Sequence, residues 1–575
     1  MAQAKIRKAR ERKNVQVKLP DGRTFEGPKG TPLFEFFRAA YPGASDPPVA
    51  AIVNDELVEL GRPVEIDIAA TPVFVSDSDG IRIYYRSLSF LLIVATHELF
   101  PDVKLNIDYS VPYGGYFCRV EGRGPFTANE LARIKARMQR LVEEDRPIVR
   151  RRVTVEEARE IFAARGEDGK VNLLAEFKED HLHLYELNGF LDYFYGYMVP
   201  STGYLHTFAL DTFPGGFILR FPRREAPTKL LPPQRFTALR EVFTEYGEWL
   251  QLLGIRHVAA LNDAIQTGRI EEVILVSEAL HEQRIAELAT LIARRYDEEH
   301  RLVLIAGPSS SGKTTFSKRL AVQLLANGLR PYPLGMDDYF LPREVLLKEG
   351  IDFDSLEALD LPLLERQLQA LLAGERVTLP RYNFKTGKRE DGPTVRLAPD
   401  QILIAEGIHG LNPNLLKNFP AEEVFRIFVS ALTQVNLDRH NRISTTDTRL
   451  LRRIVRDSIY RGYSAEATLK LWDSVRVGEK RNIFPYQEQA DVMFNSALAY
   501  ELSVLKPLAE PLLLQVKSPR ERIEAERLLA FLRWFKPCEG KTIPGNSILR
   551  EFIGGSTLRG FTPDLGQKGK EIRKR

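Results

Sequence analysis

The spacing of apolar residues predicts a small, β-rich module near the N-terminal end of the chain. Val15–Leu19 alternates apolar and polar residues, as a half-buried strand does, and Pro20-Asp-Gly-Arg has the composition of a turn. Leu33–Ala40 repeats apolar residues at helical spacing, which predicts a short amphipathic helix. These patterns predict one domain over residues 15–76.

A longer mixed segment follows at residues 77–222. Its apolar pattern predicts two helices and two strands, over Leu88–Phe100, Thr127–Glu143, Tyr116–Glu121 and His181–Leu187. A Pro-rich stretch that begins at Phe221 closes this segment, and residues 223–300 are predicted to form a mostly helical connector.

Strands and helices alternate from residue 301 to about residue 510, which is typical of a doubly wound sheet of parallel strands. Residues 511–556 are predicted to be a C-terminal helical segment, with a strong amphipathic helix over Ile523–Phe535. A chain of 575 residues also predicts several domains, at about 100–200 residues each.

Charge separates the two ends of the chain from its body. The net formal charge is +4, yet residues 1–14 carry +5 and residues 565–575 carry +4, so the other 550 residues sum to about −5. We therefore treat 1–14 and 557–575 as basic tails. Such tails are dense enough to meet the phosphates of RNA, and they are also typical of solvated, disordered ends.

The two cysteines, Cys118 and Cys538, exclude a disulfide framework and a multi-thiolate metal site, and they favour a reducing cytoplasm. The longest apolar run, Phe90–Ala95, is far shorter than the roughly 20 residues that span a bilayer. The N-terminus has no hydrophobic signal core. We expect a cytoplasmic protein with no membrane partner, and its oligomeric state stays open.

The strongest motif is the segment Gly307–Thr314, which satisfies the pattern G-x-x-x-x-G-K-[ST]. An apolar strand, Leu302–Ala306, precedes it, and apolar residues recur every four positions after it, as on a helix face. Backbone N–H groups of such a loop face phosphate oxygens, and the Lys adds a positive charge. We expect ATP to be held by Gly307, Ser309, Ser310, Ser311, Gly312, Lys313, Thr314 and Thr315.

Two carboxylates follow apolar strands in the same region. Asp337 comes after Tyr332–Met336, and Glu406 comes after Gln401–Ala405. Ligands of open α/β sheets bind at the carboxyl ends of the strands, so both carboxylates are expected beside the phosphates. Oxygen ligands suit Mg²⁺. We therefore predict a Mg²⁺ site at Thr314, Glu406 and Asp337.

An arginine-rich helix is predicted at Thr448–Asp457. Arg449, Arg452, Arg453 and Arg456 lie at offsets of 0, 3, 4 and 7, on one helix face, and the opposite face is apolar. Because acidic residues are scarce nearby, we interpret the four guanidinium groups as facing phosphates rather than forming surface salt bridges. Such groups stabilise the transition state of phosphoryl transfer.

Residues from about 300 to 500 resemble the uridine kinase and phosphoribulokinase family of P-loop kinases. In addition to the phosphate loop, the resemblance rests on four segments: Phe353-Asp-Ser-Leu-Glu-Ala-Leu-Asp360, Pro380-Arg-Tyr-Asn-Phe384, Glu406-Gly-Ile and Arg452-Arg-Ile-Val-Arg-Asp457. Five motifs in family order make this a specific match.

The resemblance implies a role for each matching residue. By this resemblance Asp337, rather than Asp338, would be the general base. Phosphates would be bound by Lys313, Arg453, Arg456 and also Arg461. Asp354 would bind ribose hydroxyls, and Tyr382, Phe384 and Phe340 would contact the sugar and base. The implied cofactors are ATP and Mg²⁺.

Three positions depart from the uridine kinase pattern. Gly387 stands where the family has a His that reads the pyrimidine, Tyr463 replaces an Arg, and Leu471 replaces a Gln. These losses weaken the assignment of a pyrimidine base but not that of a kinase. His409 is either a replacement substrate contact or a structural histidine.

Residues 15–222 resemble the N-terminal half of threonyl-tRNA synthetases, a β-grasp TGS domain followed by an editing-type domain. The resemblance rests on Leu19-Pro-Asp-Gly-Arg, Gly30-Thr-Pro-Leu, Val53-Asn-Asp-Glu-Leu-Val-Glu-Leu, Leu99-Phe-Pro-Asp-Val-Lys and Val199-Pro-Ser-Thr-Gly. The metal- or substrate-binding residues of the editing family align with apolar ones, namely Phe90, Val94, Phe194 and Met198. Hydrolysis of mischarged tRNA is therefore close to excluded.

Other residues near that aligned site leave two readings open. Tyr193, Tyr195, Tyr197 and Tyr204 either stack on an RNA base or fill the vacated space, and filling is favoured. His181 and His183 either form part of a metal site or belong to an exposed strand, and the strand is favoured because no third ligand is apparent.

The expected fold is multidomain α/β, with a TGS-like β-grasp domain at 15–76, an α+β editing-like domain without metal ligands at 77–222 and a P-loop kinase domain at 301–510. The leading hypothesis is an ATP- and Mg²⁺-dependent kinase of a nucleoside, uridine- or cytidine-like, or of a related ribose compound. The alternative is an RNA- or ribosome-associated regulatory protein whose P-loop domain binds a nucleotide, with RNA meeting the front domains or the basic tails.

Overall fold

The computed structural model describes residues 12–296, 301–353, 355–383, 386–420 and 423–561, which fall into two compact units. The first unit comprises the chain up to Gln234 with Leu437–Arg442 and Arg522–Phe531. The second comprises Arg235–Asn436, Ile443–Glu521 and the chain from Leu532. Two predicted substrate contacts, Asp354 and Phe384, and most of both basic tails lie outside the described residues.

The first unit begins with a five-stranded sheet and one helix. Its elements are β1 (Asn14–Lys18), β2 (Thr24–Pro28), α1 (Leu33–Ala40), β3 (Ala50–Val53), β4 (Glu56–Glu59) and β5 (Ile68–Val73). The strand order is β2-β1-β5-β3-β4, with β1 and β5 parallel. Helix α1 spans the predicted residues, and it buries Leu33, Phe36 and Phe37 in the core that it shares with the sheet.

Two antiparallel sheets and four helices follow in the first unit. They are α2 (Ser78–Leu99), β6 (Lys104–Val111), β7 (Gly115–Glu121), α3 (Ala128–Glu143), β8 (Val149–Thr154), α4 (Val155–Ala164), α5 (Asp168–Ala175), β9 (His181–Leu187), β10 (Phe190–Asp192), β11 (Ala209–Phe213) and β12 (Gly216–Arg220). The sheet orders are β11-β12-β7-β6 and β10-β9-β8.

The predicted elements of this region are present, with one error of extent. Strand β9 has the predicted bounds, and Thr127 caps α3 through a reciprocal pair of hydrogen bonds with Glu130. Helix α2 begins at Ser78, ten residues before its predicted start. The first turns of α2 contain polar residues that interrupt the apolar pattern. Two of them, Arg82 and Asp79, form an ion pair along the helix.

The second unit alternates helices and strands. Its elements are α6 (Thr237–Leu252), α7 (Val258–Gln266), α8 (Ile270–Arg295), β13 (Leu302–Ala306), α9 (Lys313–Ala326), β14 (Arg330–Gly335), α10 (Arg343–Glu349), α11 (Leu361–Leu372), β15 (Arg376–Asn383), β16 (Lys388–Arg396), β17 (Gln401–Glu406), β18 (Val424–Ser430), α12 (Thr445–Tyr460), α13 (Ala465–Asn482), β19 (Val492–Asn495), α14 (Glu501–Leu513), α15 (Pro519–Leu532) and α16 (Arg550–Ile553). Residues 522–531 of α15 belong to the first unit.

Five parallel strands form the sheet of the second unit, in the order β14-β17-β13-β18-β19. Every residue of the central strand β13 is buried, as expected where both faces of a parallel sheet are covered. Parallel strands end at the same edge, so the segments that follow β13, β14 and β17 meet there. The predicted doubly wound arrangement is therefore present, and it brings the phosphate loop, Asp337 and Glu406 to one edge.

The apolar face of α12 is buried as predicted, but the prediction for its arginine face is wrong for two of four residues. Arg449 and Arg452 are fully buried. Arg449 donates to both oxygens of Glu479 at 2.5 and 2.7 Å, and the Arg452 Nε donates to Glu501 at 2.7 Å. The carboxylates come from α13 and α14, so scarcity of acids near α12 in the sequence did not exclude ion pairing.

Cys118 and Cys538 are both free thiols. Among the residues that the structure describes, no helix combines the length and the apolar character that a bilayer crossing needs.

Removing the carboxylate of Glu501 should destabilise the second unit. Glu501→Gln leaves the buried Arg452 without its counterion, and the free energy of unfolding is expected to fall by about 3 kcal/mol. All three tryptophans, at positions 249, 472 and 534, belong to this unit, so urea unfolding followed by tryptophan fluorescence measures it. Glu510→Gln on the same helix is the control, with a change within about 0.5 kcal/mol. Equal effects of the two variants would contradict the importance of the ion pair.

Candidate active site

The phosphate loop between β13 and α9 requires glycine at two positions. A Cβ on Gly307 would lie 2.0 Å from the carbonyl oxygen of Val429 on the neighbouring strand β18. Gly312, just before α9, has a φ of +86°, which L side chains rarely adopt. Ser310 between them also has a positive φ, +59°. The backbone is therefore curled as an anion-binding loop requires.

Lys313, Thr314 and Glu406 meet at the mouth of this loop. The Thr314 hydroxyl donates to Glu406 Oε1 at 2.9 Å, and the Lys313 Nζ donates to the carbonyl of Pro308 at 3.2 Å. Thr314 is exposed, whereas Lys313 is buried. An exposed hydroxyl beside a carboxylate is a donor set that suits Mg²⁺.

Asp337 shares this site and Asp338 does not. Asp337 lies in a short 3₁₀ turn, Met336–Tyr339, directly after β14, and it interacts electrostatically with Lys313 and Glu406. The Asp338 Oδ1 instead accepts the backbone N–H of Tyr382, near the end of β15, at 3.0 Å. Of the two adjacent acids, only Asp337 is available beside the phosphate loop.

Both carboxylates of the site have raised pKa values. Burial raises the pKa of Glu406 to about 7, Lys313 opposes this shift, and Asp337 adds to it. Burial also raises the pKa of Asp337, again against Lys313 and with Asp338 adding. The side chain of Asp337 is itself exposed at this edge of the sheet. Two crowded carboxylates of this kind would be stabilised by a divalent cation, so the residues fit Mg²⁺.

Three arginines converge on one buried carboxylate beside the loop. Asp457 is 1% exposed, and it pairs with Arg453, Arg456 and Arg461 at 3.4, 2.8 and 3.6 Å. Arg453 also donates to the Ser309 hydroxyl of the phosphate loop at 2.8 Å. One carboxylate neutralises only part of three positive charges, so this end of α12 presents net positive charge to the loop.

Ser309 connects the phosphate loop with the buried ion pair of Arg449. Its carbonyl accepts from Arg449 at 3.1 Å, and its N–H donates to Glu479 at 3.0 Å. Sequence reasoning missed Glu479, which lies 30 residues after Arg449 and belongs to no motif. The other predicted loop serines, Ser310 and Ser311, are buried.

The predicted substrate contacts Phe340 and Tyr382 lie in an aromatic cluster. Phe340 stacks on Phe353 with ring centroids 4.2 Å apart and meets Tyr382 edge-on at 5.7 Å. Both Phe340 and Tyr382 are at most 4% exposed. Their direct contact with a substrate stays a prediction, since the packing also gives them a role in the wall of the site.

His409 is buried near the same edge of the sheet. It is 1% exposed, and within the described ranges neither ring nitrogen has a side-chain partner at hydrogen-bond geometry. Burial lowers the pKa of His409 to about 4, partly offset by the backbone of Ser355 and by Glu357. The imidazole is therefore neutral at pH 7, and it can donate from one nitrogen and accept at the other.

In the first unit, the positions aligned with editing-site ligands are part of a hydrophobic core. Phe90, Val94, Phe194 and Met198 are all buried in one cluster, and Tyr197 and Tyr204 pack against it. Tyr193 is also buried, and the hydroxyl of Tyr195 donates to the Arg442 carbonyl at 2.5 Å. Tyr197 and Tyr204 thus fill space around this core, as expected.

One cluster in the described part of the first unit has the residue types of a metal site. Glu167, Asp192 and His440 lie together, but Lys170 Nζ bonds to all three of them. Burial alone would raise the pKa of Asp192, but Lys170 and His440 lower it far below its usual range. The ammonium group takes the position of a cation, so this is a buried ion cluster. His181 and His183 are not part of it.

The family comparison covers the strands and loops just described. The model described as the phosphoribulokinase / uridine kinase family matches residues 302–502. Residues 302–502 resemble this kinase family. We refer to them as the kinase-family region.

Two solved structures that match about a third of this chain are described as kinases. A possible uridine kinase from Bacillus stearothermophilus has a TM-score of 0.26 and 23% identity, over 37% of this chain and 98% of that chain. D-glycerate 3-kinase from Cryptococcus neoformans has a TM-score of 0.25 and 17% identity, over 36% and 86%. These likenesses do not bear on the substrate.

The N-terminal part of the chain is similar to threonine–tRNA ligases. The enzyme of Bacillus velezensis is 31% identical over 204 residues, and that of Symbiobacterium thermophilum is 33% identical over 204 residues. Each alignment covers 35% of this chain. The chain spans about a third of the length of these relatives, 32% and 31%.

One departure of the kinase-family region from the uridine kinase pattern has a structural reason. Gly387 has a φ of +70°, and its carbonyl accepts the backbone N–H of Arg343 at 2.8 Å. A Cβ at this position would lie 2.8 Å from the Cβ of Arg343. A base-reading histidine at 387 would therefore be strained in this backbone.

The buried His409 should make the second unit less stable in acid. In the folded protein the pKa of His409 is about 4, below the ordinary value of 6.5. The neutral imidazole therefore contributes fully to the stability of the unit above pH 6.5, and this contribution is lost as the pH falls from 6.5 to about 4. The full loss is about 3 kcal/mol. In urea unfolding between about pH 7 and about pH 5, His409→Gln should lose clearly less stability than the unsubstituted chain. The exposed His206→Gln is the control, and an equal loss in all three proteins would contradict the assignment.

Proposed function

We propose that this protein transfers the γ-phosphoryl group of ATP to a hydroxyl of a nucleoside, uridine- or cytidine-like, or of a related ribose compound. The observation that carries the proposal is the meeting of Asp337, Glu406 and Lys313 at the carboxyl edge of one parallel sheet. The match of the kinase-family region supports it. A nucleotide-binding switch needs no acid in the position of Asp337.

In this proposal, Asp337 accepts the proton of the acceptor hydroxyl. As that O–H bond breaks, the hydroxyl oxygen bonds to the γ-phosphorus and the bond between phosphorus and the ADP oxygen breaks. Positioning and electrostatic stabilisation dominate such reactions, and Lys313 supplies positive charge next to the phosphate loop. Arg453 and Arg456, with Arg461, would neutralise charge on the transferring group from the opposite side.

Mg²⁺ would be held by Thr314 and Glu406, with Asp337 nearby. When bound, the ion would neutralise charge on the β- and γ-phosphate oxygens. The hydrogen bond between Thr314 and Glu406 orients both oxygen donors before any ion arrives. The ion requires ionised carboxylates, which the raised pKa of Glu406 makes less available below about pH 7.

The acceptor would be read by His409 and the aromatic cluster. A buried neutral imidazole without a side-chain partner is able to bind a substrate hydroxyl or carbonyl. Asp354, Tyr382, Phe384 and Phe340 complete the proposed acceptor site. The glycine at 387 favours a ribose compound whose base, if present, is not read by a histidine at that position.

For the front half we propose a TGS-like domain at 15–76 and an editing-like domain at 77–222 without hydrolytic function. The likeness to threonine–tRNA ligases supports the domain types. The buried Phe90 and Val94 argue against editing chemistry, because neither offers a metal or proton ligand. We further propose a cytoplasmic location.

The alternative function is RNA or ribosome association, with the kinase-family region as a regulatory nucleotide-binding domain. Its support is the likeness of the N-terminal part to enzymes that are named for tRNA. If a panel of nucleosides and ribose compounds stimulates no ADP release, while tRNA binds and is released by salt, this alternative replaces the kinase.

Asp337→Asn should remove phosphoryl transfer while leaving ATP binding. The amide cannot accept the proton, so kcat is expected to fall by about 10²- to 10⁴-fold with the acceptor that the panel identifies. Calorimetric titration with ATP should give a dissociation constant close to that of the unsubstituted protein.

The matched control is the neighbouring Asp338→Asn, whose carboxylate bonds to the backbone of Tyr382. This variant should change KM more than kcat. Near-normal turnover of Asp337→Asn, or an equal loss of kcat in both variants, would reject Asp337 as the base.

A further inference from the structure

A C-terminal segment outside the kinase-family region packs on the phosphate loop. This segment, residues 540–561, includes helix α16 and belongs to the same unit as the loop. Its residues Ile548, Leu549 and Phe552 are fully buried. The Ile548 Cγ2 would lie 2.5 Å from a Cβ on Gly312, so the segment touches the loop directly.

Within this segment, Glu551 bonds to the backbone of the loop. The Thr315 N–H donates to Glu551 Oε2 at 3.0 Å. Thr315 is the third residue of α9, whose first N–H groups have no acceptor inside the helix. In a loop of this sequence pattern, these N–H groups bind the α- and β-phosphates of a nucleotide. A carboxylate of this chain therefore occupies a donor that the nucleotide would use.

Further contacts hold the carboxylate in this position. Lys318, one turn further along α9, donates to the carbonyls of Leu558 and Arg559 at 2.7 and 3.0 Å. Arg452 lies over the ring of Phe552, 4.9 Å from its centroid. Arg550 donates to the carbonyl of Ile543 at 2.6 Å, which closes the segment on itself. The placement of Glu551 thus follows from several contacts on both sides of it.

Glu551 also adds negative charge where a triphosphate would bring more. It interacts electrostatically with Glu406 and with Lys318. Like charges at one site compete for the same donors, and the repulsion is large where solvent is partly excluded. A nucleotide phosphate and the Glu551 carboxylate therefore cannot both bind the Thr315 N–H.

We propose that residues 540–561 form an autoinhibitory element of the nucleotide site, in which the Glu551 carboxylate takes the Thr315 N–H and leaves it when a triphosphate binds. This inference rests on one part of the proposed function, the binding of a triphosphate by the phosphate loop. It requires no particular acceptor.

The test measures the affinity of purified full-length protein for two probes, ATP and inorganic tripolyphosphate, by calorimetric titration. Glu551→Gln removes the negative charge and should raise the affinity for both probes by about tenfold. The exposed Glu539→Gln in the preceding stretch, whose carboxylate pairs with Lys541, is the matched control and should change neither.

Unchanged affinities in Glu551→Gln would overturn the inference and leave the proposed function standing. A gain for ATP alone would also overturn it, because the segment would then act on the base. If the unsubstituted protein and both variants bind neither probe, the proposed function fails as well.

A second measurement needs no variant. Hydrogen exchange of the unsubstituted protein should show faster exchange in residues 548–561 when ATP is added, since the segment is released. Slower or unchanged exchange there would overturn the proposal even if Glu551→Gln did not fold.

Discussion

The curled backbone between β13 and α9 is the constraint on which the rest of the second unit depends. Gly307 allows the loop to pass within van der Waals contact of the Val429 carbonyl, and Gly312 allows the left-handed turn into α9. Only with this path do the N–H groups of the loop and the N-terminus of α9 point to one place. The parallel sheet then brings Asp337 and Glu406 to that place from the ends of β14 and β17.

Buried charge fixes the arginine helix against this loop. Of four arginines on one face of α12, Arg449 and Arg452 form ion pairs with Glu479 and Glu501, whereas Arg453 donates to Ser309 of the phosphate loop. Breaking such a pair lowers the free energy of unfolding, because an unpaired charge is left buried away from water. The ion pairs that orient the helix thus take up two of its four guanidinium groups, and Ser309, which bonds to both Arg449 and Glu479, links one of these pairs to the loop.

Local patterns predicted much of this arrangement, and contacts between distant residues could not be predicted. Strand β9 and helix α1 have their predicted bounds, and the phosphate loop, Asp337 and Glu406 were found because each follows a recognisable strand. Glu501 lies 49 residues from Arg452, and Glu551 lies 236 residues from Thr315. No periodicity records such pairs, since only the folded chain brings them together. The early start of α2 was missed because paired polar residues interrupt its apolar pattern.

In the proposed function, the site moves a phosphoryl group from ATP to a hydroxyl acceptor. The most direct measurement is phosphorus NMR of the full-length protein with ATP, Mg²⁺ and a mixture of nucleosides and ribose compounds. We expect the γ-phosphate resonance of ATP to decline while a phosphomonoester resonance and ADP appear in equal amounts. Release of the γ-phosphate only as inorganic phosphate, or ATP that stays intact with every acceptor, would contradict it.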